Sequence, residues 1–200
     1  MNEPNKIELQ DRLQLIESMI QEGRSSTGYW GWSFLLWGAA YLVAIVWSCL
    51  LPYPQYSWLV VMSLTTLLFG VIVRRKRTRR PQPESMQSRA LGGIWCAVGT
   101  AIFLFAFAGS ASGHFEFHMY MAGIEMLLGT AHAASAFTLR WRPQFLIALV
   151  WWISGVASYY VAAAHLMPIL IVATLIGNIA FGLYLMRLES TQRRPEVSHA

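Results

Sequence analysis

Glu125 and His132 are the residues of this 200-residue chain whose types and placement point most directly to chemistry. Both fall within one apolar stretch, 119–139. A carboxyl group and an imidazole at that depth in a membrane helix mark a proton or cation path, or a polar substrate site, because burying a charged side chain at mid-helix costs ~2.5–3.5 kcal/mol on insertion scales. Their spacing of seven residues puts them on one helix face, two turns or about 10 Å apart. They are too far apart to hydrogen-bond directly, so water or a third group would have to join them. Matching depths along the neighbouring stretches brings Ser158 and Tyr159 to the level of Glu125, and Asn178 to the level of His132. The competing reading is structural: both residues are hydrogen-bonded for packing.

Other motifs carry less. In His114-Phe115-Glu116-Phe117-His118 an extended backbone would point both imidazoles and the carboxylate one way, a set that can bind zinc or copper. A helix would scatter them, and the alternating phenylalanines favour a segment at the membrane interface, so no metal site is assigned. The run Arg74, Arg75, Lys76, Arg77, Arg79 and Arg80 is a topological anchor and a contact for anionic lipid headgroups or a protein partner. It lacks the interleaved aromatics of a nucleic-acid reader, and no nucleic-acid partner is expected. No HExxH, P-loop or GxGxxG occurs, and Gly109-Ser110-Ala111-Ser112-Gly113 has alanine where a nucleophile elbow needs serine. Neither a catalytic residue nor a cofactor is expected. Cys49 and Cys96 lie on different apolar segments near opposite membrane faces, too far apart for a bridge.

These residues must be positioned by membrane helices. Hydrophobic residues make up 56% of the chain and charged residues 12%, about half the ~25% of soluble proteins. That balance excludes an ordinary soluble domain, a disordered chain and a disulfide scaffold. Six apolar segments, at about 29–51, 57–73, 91–109, 119–139, 144–163 and 167–186, approach the ~20 residues that cross a bilayer core. They must be helical, since lipid offers the backbone no hydrogen-bond partner. In a six-span arrangement all 15 basic residues fall on one side, which the positive-inside rule makes cytoplasmic. Both termini then lie inside. Gly129 with Ala133, Ser154 with Ser158, and Ala173 with Gly177 are small-xxx-small pairs expected at helix contacts. Trp151 and Trp152 lie too deep for an interfacial belt. One of them is expected inside the bundle with its N–H bonded to a neighbouring helix.

Residues 5–22 read as an amphipathic cytoplasmic helix. Asn5 and Glu8 resemble a capping box, Leu9, Leu13, Ile16 and Ile20 keep one face apolar, and Gly23 is a stop. The expected fold is therefore an all-α polytopic transmembrane bundle: helix and linker at 1–27, a six-span domain at 28–187 and a cytoplasmic tail at 188–200. The run from Glu17 to Leu42, ESMIQEGRSSTGYWGWSFLLWGAAYL, resembles the start of uncharacterised bacterial six-span integral membrane proteins, in which a short helix leads into a Trp-Gly-rich first span. The resemblance covers about a fifth of the chain. It implies a multi-pass protein of the bacterial inner membrane and assigns no catalytic residue. The three-hairpin layout is also similar to that of small six-span acid-resistance membrane proteins. The expected function is a non-enzymatic module that binds or regulates a partner, with the lipid bilayer, a protein partner or a second copy as its contacts. The alternative is a small transporter or proton-linked channel using Glu125 and His132.

Overall fold

The computed structural model describes residues 30–51, 56–79, 86–112 and 116–192. The expected amphipathic helix at 5–22, His114, Arg80 and the tail beyond 192 lie outside them. Within the described residues the chain is all-helical. The helices are α1 (Gly31–Leu50), α2 (Ser57–Arg79), α3 (Met86–Ser112), α4 (Phe117–Leu139), α5 (Arg142–Tyr160), α6 (Ala163–Thr174) and α7 (Phe181–Gln192). A π-helical segment, Leu175–Ala180, joins α6 to α7 without a break. Four stretches are long and apolar enough to cross a membrane: Gly31–Leu50, Ser57–Thr78, Met86–Gly109 and Ala163–Thr191. Helices α4 and α5 do not qualify on apolarity, because they carry Glu125, His132, Ser135, Gln144, Ser154 and Ser158.

Those polar residues face protein. Helices α4 and α5 form the most extensive helix pair, closed by a tight turn. Arg140 ends α4 in the left-handed conformation, with φ 49° and ψ 45°. The N–H of Trp141 then donates to the carbonyl of Ala136 at 2.9 Å and that of Arg140 to Phe137 at 3.3 Å, the paired closure that usually uses glycine. Pro143 stands in the first turn of α5, where a missing N–H is harmless. The last helix lies against both α1 and α5, while α2 runs along α1 and α3 along α4.

The core forms where α1, α4, α5 and α6 meet, around Ile45, Met121, Ile124, Leu128, Trp151, Leu170 and Ala173. Glycines set the spacing. The Trp152 ring occupies the place a side chain on Gly129 would take, and the Trp151 ring does so at Gly177. A Cβ on Gly155 would lie 3.3 Å from the Glu125 Cβ and from the Ala122 carbonyl oxygen. All three expected small-residue pairs thus fall at helix contacts. One expectation fails in part. Trp151 is fully buried, yet its indole N–H meets Gly177, which has no side chain, and finds no hydrogen-bond acceptor. The basic run departs from the expected end of the second span: α2 stays helical to Arg79, carrying Arg74 and Arg75 outward as exposed residues. Cys49 and Cys96 are free and exposed.

Candidate functional site

Glu125 has no exposed surface. It sits two turns into α4, on the face that meets α5, where the glycine at 155 lets the two backbones close in. The Ser158 hydroxyl donates to Glu125 Oε2 at 2.7 Å, across 33 residues of sequence. Glu125 Oε1 has no hydrogen-bond partner. Ser154, one turn from Ser158, lines the same interface and donates to the Trp151 carbonyl at 2.9 Å. The expected neighbour Ser158 is therefore in place. Tyr159, matched to the same depth, turns outward and is 55% exposed.

His132 has different surroundings. Its ring stacks on Phe34 of α1 at 5.4 Å, meets the Trp95 ring of α3 edge-on at 5.1 Å and meets Phe181 of α7 at 5.9 Å. The residue is 1% exposed, and its Nδ1 has no hydrogen-bond partner. Three helices thus contribute a ring to an aromatic box around one imidazole. One ring stacks on the imidazole and two meet it in T-shaped contact, the arrangements aromatic rings prefer. Asn178, matched to this depth by sequence, is buried in the π-helical segment, and its Cβ approaches Gly38 of α1. Its Nδ2 is unpartnered, so no hydrogen bond joins it to His132 at that atom.

The two residues share a helix side without sharing a pocket. Leu128 lies between them, one turn from each, and belongs to the same apolar core as Trp151. Around that core stand further buried polar atoms without partners: Ser135 Oγ on α4, Trp151 Nε1 on α5, and Thr174 Oγ1 beside Asn178 Nδ2 on the last helix. Buried polar groups in native proteins are nearly always satisfied by protein or by ordered water. Their spread over α4, which holds Glu125 and His132, and over α5 and the last helix packed near it marks this seam as the chemically distinctive part of the bundle. The π-helical segment at 175–180 adjoins it, and such wide turns are frequent at functional sites.

The remaining candidates lie apart. His118 opens α4, and its Nε2 stands 3.2 Å from the Val161 carbonyl oxygen, tying the start of α4 to the α5–α6 turn. Glu116 is extended immediately before it. Among the described residues no group of three histidine, cysteine or acidic side chains could hold a metal ion. Lys76 lies 4.0 Å over the Trp32 ring, which itself stacks on Phe69, so the basic end of α2 is anchored beside the start of α1. Sequence reasoning missed Thr174 and Ser135 as members of the polar seam, and expected a partner for the buried indole N–H that Trp151 does not have. It also missed the aromatic box, whose rings are far apart in the chain. No family model, curated protein or solved structure matches this chain.

Proposed function

We propose that this is a six-span membrane protein that moves protons, or a solute coupled to protons, with Glu125 as the group that takes up and releases the proton. The observation that carries the reading is the carboxyl group itself. It is wholly buried, one oxygen is oriented by Ser158 at 2.7 Å, and the other has no protein partner. Such an intramembrane carboxyl is expensive to keep, and its usual role is in an ion or proton path. His132 in its aromatic box is the second exchanging group, and Thr174, Asn178 and Ser135 supply donors and acceptors along the way. Leu128, packed in one apolar core with Trp151, separates the two. Transfer therefore requires the last helix to shift against α5, and the π-helical turn is where that helix bends most readily.

The lower apolarity of α4 and α5 fits six spans. A helix sheltered from lipid by its neighbours can carry polar residues, and both helices bury theirs. The positive-inside rule then puts both termini in the cytoplasm and the chain in a plasma membrane. The partner-binding reading rests on another part of the molecule, the exposed basic end of α2, and is indifferent to Glu125.

The test is flux in proteoliposomes. Purified protein is expected to dissipate an imposed pH gradient, read by an entrapped pH-sensitive dye. Glu125→Gln, which keeps an acceptor for Ser158, is expected to stop the flux while helix content and elution volume stay unchanged. Wild-type protein that passes no protons, alone or with candidate solutes, would sink the proposal.

A further inference from the structure

The basic end of α2 stands close to where residues 1–29 join the bundle. Trp32 lies two residues beyond Trp30, and Lys76 of α2 sits 4.0 Å over its ring. Around this contact α2 remains helical, and Val71, Arg74, Arg75 and Thr78 share one of its faces. All four residues are exposed. From Val71 to Thr78 the helix rises about 10 Å, so the two guanidinium groups stand away from the apolar part of the span.

The preceding segment is complementary in charge and in reach. Half of the chain's ten acidic residues fall at positions 1–22: Glu3, Glu8, Asp11, Glu17 and Glu22, against Lys6 and Arg12. At helical spacing, Glu8, Asp11 and Glu22 fall within about 60° of one another, with Leu15 among them, roughly opposite the stripe of Leu9, Leu13, Ile16 and Ile20. Residues 23–29 span at most ~25 Å, and so short a tether holds the segment near the patch at an effective concentration of about millimolar.

We infer that residues 5–22 dock on the exposed end of α2 of the same chain, with Glu8, Asp11 and Glu22 facing Arg74 and Arg75. The docked segment covers the patch and withholds it from anionic lipid. This inference is independent of any flux through the bundle.

The experiment is disulfide trapping in native membranes on full-length protein whose exposed Cys49 and Cys96 are replaced by serine. Thr78→Cys is combined in turn with Gln10→Cys, Gln14→Cys and Gln21→Cys, and bond formation requires Cα atoms within ~7 Å. An intrachain bond is expected for at least one pair. It should fall at least fivefold when Arg74→Glu and Arg75→Glu are added and recover when Asp11→Arg and Glu22→Arg are added as well. Should the reversed variants fail to insert, the unreversed pairs in 1 M salt serve instead. There the Debye length shrinks to ~3 Å, and the same loss of trapping is expected. No bond at any pair, bonds only between chains, or trapping indifferent to both charge reversal and salt would overturn the inference. So would protection of Thr78→Cys from maleimide that depends on anionic lipid and persists after residues 1–23 are deleted, since that assigns the patch to headgroups.

Discussion

Glu125 and His132 project from one side of α4 and meet burial in different ways. The carboxyl group is held by the Ser158 hydroxyl at 2.7 Å. The imidazole has three aromatic rings around it and an unpartnered Nδ1. The aromatic box would accept a phenyl ring as readily as an imidazole. His132→Phe is therefore expected to leave stability within about 1 kcal/mol of wild type or to raise it, because it removes an unsatisfied buried polar atom. Thermal unfolding in detergent checks this, and a large loss would make the imidazole structural. Ser158→Ala has the opposite signature. It strands Glu125 Oε2 without its donor, and a cost of about 1–3 kcal/mol is expected in the same assay. Those two outcomes together would be the pattern of residues kept for function rather than for packing.

Between elements, the glycines decide how closely α4, α5 and the last helix approach. A methyl group on Gly177 would enter the Trp151 ring, which has no exposed surface and no room to retreat. A methyl group on Gly129 would meet Trp152, which is half-buried and can move outward. Gly177→Ala is expected to cost about 1–3 kcal/mol, the range of core overpacking, and Gly129→Ala less. Gly93 and Gly99 on α3 have open space around them, so alanine there should be neutral or stabilising by up to about 1 kcal/mol. Equal effects at all four positions would mean that glycine does not set the spacing. The same elements show what the sequence makes legible. Axial position is readable, because apolar length and turn chemistry mark helix ends. Helix α4 was expected at 119–139 and runs over Phe117–Leu139, and depth matching paired Ser158 with Glu125. Rotation and lateral neighbours are not readable. Asn178 lies near the expected depth, yet the rings around His132 come from Phe34, Trp95 and Phe181 on three other helices. The π-helical turn leaves no local mark in Leu175–Ala180, where the residues packed against it, Trp151 and those of α1, are distant in the chain.

At the scale of the whole molecule, four stretches are apolar enough to cross a membrane, and the polar seam lies largely on the two helices that are not. Whether α4 and α5 cross is decided at the turn between them. Six spans put Arg142 and Ser190 on the cytoplasmic side and Ala162 on the opposite side. Were α4 and α5 to remain outside the bilayer, Arg142 would share the side of Ala162. Single-cysteine variants Arg142→Cys, Ala162→Cys and Ser190→Cys, in protein without Cys49 and Cys96, separate the two. In intact cells an impermeant maleimide is expected to label only Ala162→Cys, and labelling of Arg142→Cys would leave Glu125 outside the bilayer. The central claim, that Glu125 handles the proton, meets its most direct test in proteoliposomes carrying equal amounts of inserted wild-type and Glu125→Gln protein. The initial rate of proton entry under an imposed gradient is the quantity to measure. The account predicts at least a tenfold lower rate for Glu125→Gln at unchanged thermal stability. Equal rates for the two proteins would contradict it.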